Sequence, residues 1–282
     1  MEGRFGWDPP AAQLGGQNAL LRARSRNHFV KDFPGPLSIK CVTSGTVTWK
    51  CGGRELVVDR DAFLVLNDGE PYSMNIDERA PVETLCLFFQ RGFVESVHAS
   101  VARAGIEPDA VPAPFPRRLY VRNDHVVPRL LELRGGSRLG LDQQCLQIAC
   151  DLLALNEEVA RRIRGMPARR AATRDELFRR VRRGQEFLHA SFGDDLNLAE
   201  LAREACLSPY HFHRAFLQAF GRTPHRYRTE LRLARARRLL ETTLMTVTEI
   251  CGAVGFESGA SFSALFRQRF GVPPSGVRKA AS

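Results

Sequence analysis

The chain has 282 residues, 44% of them hydrophobic, with 41 Lys plus Arg against 31 Asp plus Glu and a formal net charge of +10. That length suggests about two domains, each large enough for its own core. No apolar run is long enough to span a bilayer, residues 1–10 do not read as a signal peptide, and the seven cysteines contain no Cys-x-x-Cys pair, so the simplest expectation is a reduced cytoplasmic protein with no membrane partner.

In the N-terminal half, Leu37, Ile39, Cys41 and Thr43 alternate with Ser38, Lys40, Val42 and Ser44. Gly45 interrupts before Val47, Thr48 and Trp49, and Gly52-Gly53 separates these from Leu56, Val57 and Val58. The runs at 62–66 and 82–89 complete the set, the first ended by Asn67-Asp68-Gly69. Short segments rich in Val, Phe and Thr, punctuated by Gly, point to an antiparallel barrel or double sheet. Residues 1–165 hold only His28, His98 and His125, with no His-x-His, so no metal, no cofactor and no enzyme activity is expected. Trp49 and Tyr72 are the candidates for lining an effector pocket inside a barrel, with ordinary packing as the alternative for each.

Residues 141–163 read as one amphipathic helix, because Leu141, Cys145, Ile148, Leu152, Leu155, Val159 and Ile163 recur at spacings of three or four. Such a stripe either packs on the barrel or pairs with its copy in a second chain. A linker follows at 166–173, after which Thr173 and Glu176 read as a capping box.

Residues 197–274 contain one pattern written twice. The first copy runs Leu201, Ala202, Cys206, Leu207, Phe212, Phe216, Phe220, Gly221, Pro224, and the second runs Ile250, Cys251, Gly255, Phe256, Phe262, Phe266, Phe270, Gly271, Pro274. The early members are 49 residues apart and the later ones 50, which puts one extra residue in the second turn. Each copy opens on a capping box, Asn197 with Glu200 and Thr246 with Glu249. A turn ending in Ser208 or Ser258 comes next, then a phenylalanine at every fourth position, then a glycine stop. Pro209 stands at the first position of the first long helix. Cys206 and Cys251 read as small core residues. A short helix, a tight turn and a longer helix make a helix-turn-helix unit, whose second helix can enter a DNA major groove.

With the Gly255-Phe256 turn, the two Phe-x-x-x-Phe-Gly-x-x-Pro endings and Arg232-Leu233-x-x-Ala236-x-x-Leu239-Leu240 between the copies, residues 180–279 resemble the DNA-binding domain of the AraC/XylS family of bacterial transcription regulators. The resemblance implies seven helices, two helix-turn-helix units and a long connecting helix, here beginning at Pro224 and roughly 25 Å long. It also implies a cupin-like sensor domain before them, a homodimer, and RNA polymerase as a partner if the protein is an activator. The fold class expected is α+β in two domains: a cupin-like antiparallel β-barrel with following helices at 1–165, then an all-α DNA-binding domain at 174–282.

Charge supports this division, since residues 166–282 hold 20 Lys plus Arg against 11 Asp plus Glu while residues 1–165 hold 21 against 20. A basic domain attracts a polyanion and releases its counterions. Tyr210, His211, His213, Arg214, Leu217 and Gln218 lie off the first phenylalanine stripe and are free to touch DNA. The resemblance assigns base contact to the positions of Tyr210, His213 and Arg214, and a guanidinium can bond two guanine acceptors at once. The second unit has Gly259, Ala260, Ser263 and Ala264 at the matching positions, where family members commonly carry Arg at that of Ala264. Phosphate and shape recognition through Ser258, Ser261, Arg267, Arg269 and the helix N-terminus is expected there.

The function expected is a sequence-specific regulator that binds double-stranded promoter DNA and senses a signal, such as a small-molecule effector. The alternatives are control by a protein partner, a cupin enzyme fused to a DNA-binding module, and a nonspecific architectural DNA binder.

Overall fold

The computed structural model describes residues 14–103, 115–116, 119–121, 125–133, 138–168, 170–191 and 196–280, so the expectation for residues 1–10 and for Arg169 of the linker lies outside it. The chain divides into two compact units, Met1–Arg161 and Arg162–Ser282.

The first unit is a nearly closed antiparallel barrel. Its strands are β1 (Ala19–Pro34), β2 (Ser38–Ser44), β3 (Val47–Cys51), β4 (Arg54–Val58), β5 (Ala62–Leu66), β6 (Pro71–Phe88) and β7 (Leu119–Val121). The 18-residue β6 is the hub: β1 runs antiparallel along its length, while its first half also pairs β3 and its second half β2. The β1–β6 register breaks twice. Between Ser25 and Asn27, one residue of β1 faces four of β6, among them Pro81, which has no N–H to give a ladder. Between Val30 and Phe33 the extra residue is on β1, where Asp32 takes φ 43° and its N–H donates to Ser73 Oγ at 2.9 Å.

Alternation along β2 suggests one buried and one open face, yet Ser38 to Val42 are all buried. Closure of the barrel is the reason. Val42 belongs to one apolar cluster with Trp49, Leu56, Leu64, Leu66 and Tyr72, so the face it shares with Ser38 and Lys40 points into the interior.

Three helices complete the unit: α1 (Phe93–Arg103), α2 (Val126–Glu132) and α3 (Arg138–Arg164). The stripe on α3 is occupied within its own chain, with Cys145, Ile148, Ala149 and Leu152 fully buried. Polar links fasten it, Asn18 donating to Asp142 at 2.7 Å and Arg129 of α2 pairing Asp151 at 2.7 Å.

The second unit contains seven helices among the described residues: α4 (Ala171–Ala190), α5 (Leu198–Glu204), α6 (Pro209–Phe220), α7 (Pro224–Thr242), α8 (Val247–Ala253), α9 (Gly259–Phe270) and α10 (Pro274–Ala280). The capping box expected at Thr173 and Glu176 does not form, because α4 begins earlier, at Ala171, with Arg170 as an uncapped lead-in. Ala171 and Ala172 are strong helix formers that extend the helix backwards, and Glu176 pairs instead with Arg179 and Arg180.

Two apolar cores sit on either end of α7. At its start, Tyr227 meets Phe216 edge-on at 5.7 Å and its hydroxyl accepts a 2.7 Å hydrogen bond from Gln185 of α4. At its far end, Leu233, Ala236 and Leu240 cluster with Ile250, Cys251, Val254, Phe262 and Phe266. The first core is packed tightly enough that a Cβ at Gly184 of α4 collides with the Phe212 ring. Gly184→Ala is therefore expected to destabilise the protein by about 1–3 kcal/mol, as overpacking does, despite alanine's better helix propensity. Denaturant unfolding of the two proteins checks this; an unchanged or raised midpoint would contradict it.

Candidate nucleic-acid interface and barrel interior

Both helix-turn-helix units are built by the same local chemistry. Asn197 accepts from the Glu200 N–H while Glu200 accepts from the Asn197 N–H, and Thr246 with Glu249 does the same. Each short helix then ends in one closure: Leu207 N–H donates to the Ala202 carbonyl at 2.9 Å, and Phe256 N–H to the Cys251 carbonyl at 3.0 Å. The closure needs a left-handed residue just beyond the helix, which is Gly255 at φ 80° in the second unit and Cys206 at φ 53° in the first. Cys206 is accordingly exposed, not the core residue that its place in the repeat suggests; only Cys251 is buried. The short helices are 49 residues apart and the long ones 50, so the added residue is Glu257, just before the Ser258 cap.

Ser208 and Ser258 cap the long helices by accepting from the N–H groups of His211 and Ser261. Phe212 and Phe216, like Phe262 and Phe266, are fully buried, with neighbouring rings 5.4 and 5.6 Å apart. Burying that stripe turns the opposite face of α6 outward, where Tyr210 (69% exposed), His213, Arg214 and Leu217 follow one another at helical spacing. His211 is also exposed, but its Nδ1 lies 3.0 Å from Ser208 Oγ, within the cap. Gln218 is half-buried and its Oε1 is enclosed. The matching stripe of α9 is Ala260, Ser263, Ala264 and Arg267, all exposed except the half-buried Ser263. Gly259 and Arg269 are exposed as well, with the Arg269 guanidinium lying over Phe270 at 5.5 Å.

Several arginines of α7 have structural work. Arg228 donates to the Leu196 carbonyl at 2.8 Å, just before α5, and Arg232 donates to the Gly255 carbonyl at 2.7 Å. One turn apart on α7, they tie it to the lead-in of the first unit and to the turn of the second. Arg222 and Arg226 share Glu230, and Arg237 pairs Glu241 at 2.9 Å.

Inside the barrel, Trp49 and Tyr72 are both buried in one apolar cluster. Beside them lies a group that sequence reasoning passed over: Lys40, 1% exposed, whose Nζ donates to the Tyr72 hydroxyl at 3.2 Å and sits 3.5 Å above the Phe88 ring. Burial pushes its pKa down to about 8, with Cys86 beside it acting weakly the other way. The signal available in sequence was a lysine between the apolar Ile39 and Cys41-Val42 of β2. Among the described residues no group of three or more His, Cys, Asp or Glu could hold a metal ion, and no helix is long and apolar enough to cross a membrane.

Residues 19–149 match the AraC-like ligand binding domain, and residues 201–280 match a helix-turn-helix domain. The chain belongs to the AraC/XylS family. Among its family relatives, the HTH-type transcriptional regulator ArgR of Pseudomonas aeruginosa is 38% identical over 87 residues, 31% of this chain and 26% of that protein. The HTH-type transcriptional activator RhaS of Escherichia coli is 38% identical over 93 residues, 33% of this chain and 34% of its own length. The match thus spans about a third or less of each relative. A solved structure of a probable AraC family transcriptional regulator from Rhodopseudomonas palustris is 27% identical, covering 36% of this chain and 96% of that one, with a TM-score of 0.35.

Two tests follow from this AraC/XylS chain's own geometry. A left-handed residue with a Cβ is strained by about 1 kcal/mol relative to glycine. Cys206→Gly should therefore stabilise the protein by about that amount. Gly255→Ala should cost at least as much, since its Cβ also displaces Arg232. Denaturant midpoints that move the same way in both variants would refute this. Lys40 supplies the second. Its folded pKa of about 8 lies below the ordinary 10.5, so the unfolded chain binds more protons between those values. The cost of the buried ammonium is complete below about pH 8 and fades as pH rises toward 10.5. Lys40→Met should raise the melting temperature most at pH 7, by the equivalent of no more than about 3 kcal/mol, and the advantage should shrink by pH 10. Thermal denaturation of both proteins at the two pH values measures it.

Proposed function

We propose that the protein is a sequence-specific DNA-binding regulator of transcription, acting in the cytoplasm as a homodimer. Its helical unit binds promoter DNA, and its barrel senses a small-molecule effector near Trp49 and Tyr72. RNA polymerase is a further partner if it activates. The observation that carries this reading is the outward stripe of Tyr210, His213, Arg214 and Leu217 on a helix whose other face is locked by buried phenylalanines. A rigid helix presenting a guanidinium, an imidazole and an aromatic ring suits a major groove: Arg214 can take both acceptors of a guanine, and Tyr210 can lie against a thymine methyl.

The second unit does a different job. Ala260, Ser263 and Ala264 reach no base edge with a long donor, so α9 holds the duplex by its N-terminal amides, Ser258, Ser261 and Arg267, and responds to DNA shape. The α3 stripe being occupied within one chain, dimerisation uses another surface. Fluorescence anisotropy with promoter and random duplexes across salt concentrations tests the division of labour. Arg214→Ala should cost about 1–3 kcal/mol on the promoter and relax selectivity at one base pair. Arg267→Ala should weaken both duplexes alike and reduce the salt slope by about one. Equal intolerance to base changes under both helices would overturn the asymmetry, and equal affinity for promoter and random DNA would overturn sequence specificity itself.

A further inference from the structure

The interior of the barrel contains polar hydrogens without enough acceptors. Lys40 has three N–H donors, and among the described residues only the Tyr72 hydroxyl accepts from it. No carboxylate of the described residues pairs with it, and its other neighbours include the faces of Phe88 at 3.5 Å and Tyr72 at 4.7 Å and the Cys86 thiol, which burial keeps neutral by pushing its pKa up. Ser38 stands two residues earlier on the same interior face of β2, fully buried, with no hydrogen-bond partner for its Oγ among the described residues. The Tyr72 hydroxyl, while accepting from Lys40, still has a proton to donate. Three donor groups thus lie on the interior side of the barrel where no carboxylate of the described residues pairs with Lys40, and the walls around them are apolar, with Phe33 edge-on to Tyr72 at 5.8 Å and Trp49 in the same cluster. Buried polar groups are ordinarily satisfied, and a cluster lacking only acceptors is completed by a ligand that brings them.

We propose that the effector of this protein is a small monocarboxylic acid with an apolar body, its carboxylate held by Lys40, Ser38 and Tyr72 and its body against Phe88 and Trp49. This rests on the barrel being an effector sensor, and it assigns both the chemical class and the anchoring residue. A carboxylate matches the site because its two oxygens can accept from Lys40 and from a hydroxyl at once, while a sugar or an amine would bring further donors to a site already rich in them.

The experiment is a thermal-shift screen followed by calorimetry on the full-length protein, using hexanoate, phenylacetate and 4-hydroxyphenylacetate, each beside its neutral amide. At least one acid should raise the melting temperature and bind at least tenfold more tightly than its amide. Lys40→Met should remove that preference while melting no lower than the parent without ligand, which separates loss of the anchor from loss of the fold. Ser38→Ala should weaken the acid several-fold and leave the amide unchanged. If amides bind as well as acids, or an acid binds Lys40→Met undiminished, the carboxylate class is wrong and effector sensing stands. If neither the acids, the amides nor a broad panel of neutral sugars and amines shifts the protein, the anchor and the sensing role fall together.

Discussion

Everything in the helical unit depends on one 19-residue helix closing two cores at once. Tyr227 of α7 faces the first helix-turn-helix core, and Leu233, Ala236 and Leu240 face the second. A helix that must satisfy both faces cannot slide or rotate toward either without opening the other, since interiors at native density have no spare volume. Arg228 and Arg232 add a tether on each side, one to Leu196 and one to Gly255. The separation of α6 and α9 is therefore set by side chains of α7 and the cores it closes. If α7, about 28 Å long, fixes the spacing of the two readers, it falls short of the roughly 34 Å between successive major-groove faces, and a duplex gripped by both helices would bend or one reader would sit askew.

The contrast between the two readers follows from the same economy. Duplication preserves what folding requires, the capping boxes, the left-handed turn residue, the buried phenylalanines and the glycine stop, while the outward stripe is free to diverge. Arg214 against Ala264 and Tyr210 against Ala260 are differences that cost neither core anything, because all four side chains point away from it. Specificity and grip can then be divided between two copies of one scaffold.

The helical unit was legible in the sequence because its signals are local: Asn197 with Glu200, Ser208 before Pro209 and the glycines at 221 and 271 each determine a boundary within a few residues. The barrel was legible where strands are short and apolar, as at 62–66. It was not at β1, whose arginines, Asn27, His28 and Lys31 lie on a largely exposed strand that pairs only with β6 and so shows no buried period. The first half of β6 was hidden likewise by Asp77, Glu78 and Pro81, which sit at or beside a break in register. Lys40 escaped because a period-two pattern places a lysine on the solvent side, and only closure of the sheet makes that side an interior. Cys206 escaped because a residue other than glycine does not announce a positive φ, although its match in the second copy, Gly255, does.

The arginine pairings carry a consequence for how strongly ionic strength can act on this protein. Residues 166–282 have a formal excess of nine positive charges, but Arg228 and Arg232 are committed to carbonyl oxygens, Arg222 and Arg226 to Glu230, Arg237 to Glu241, and Arg179 and Arg180 to Glu176. Cations released from a duplex are counted by the phosphates a protein touches, not by its titration charge. Much of the basicity here is engaged within and between helices, so the formal charge does not by itself give the number of ions a duplex would exchange.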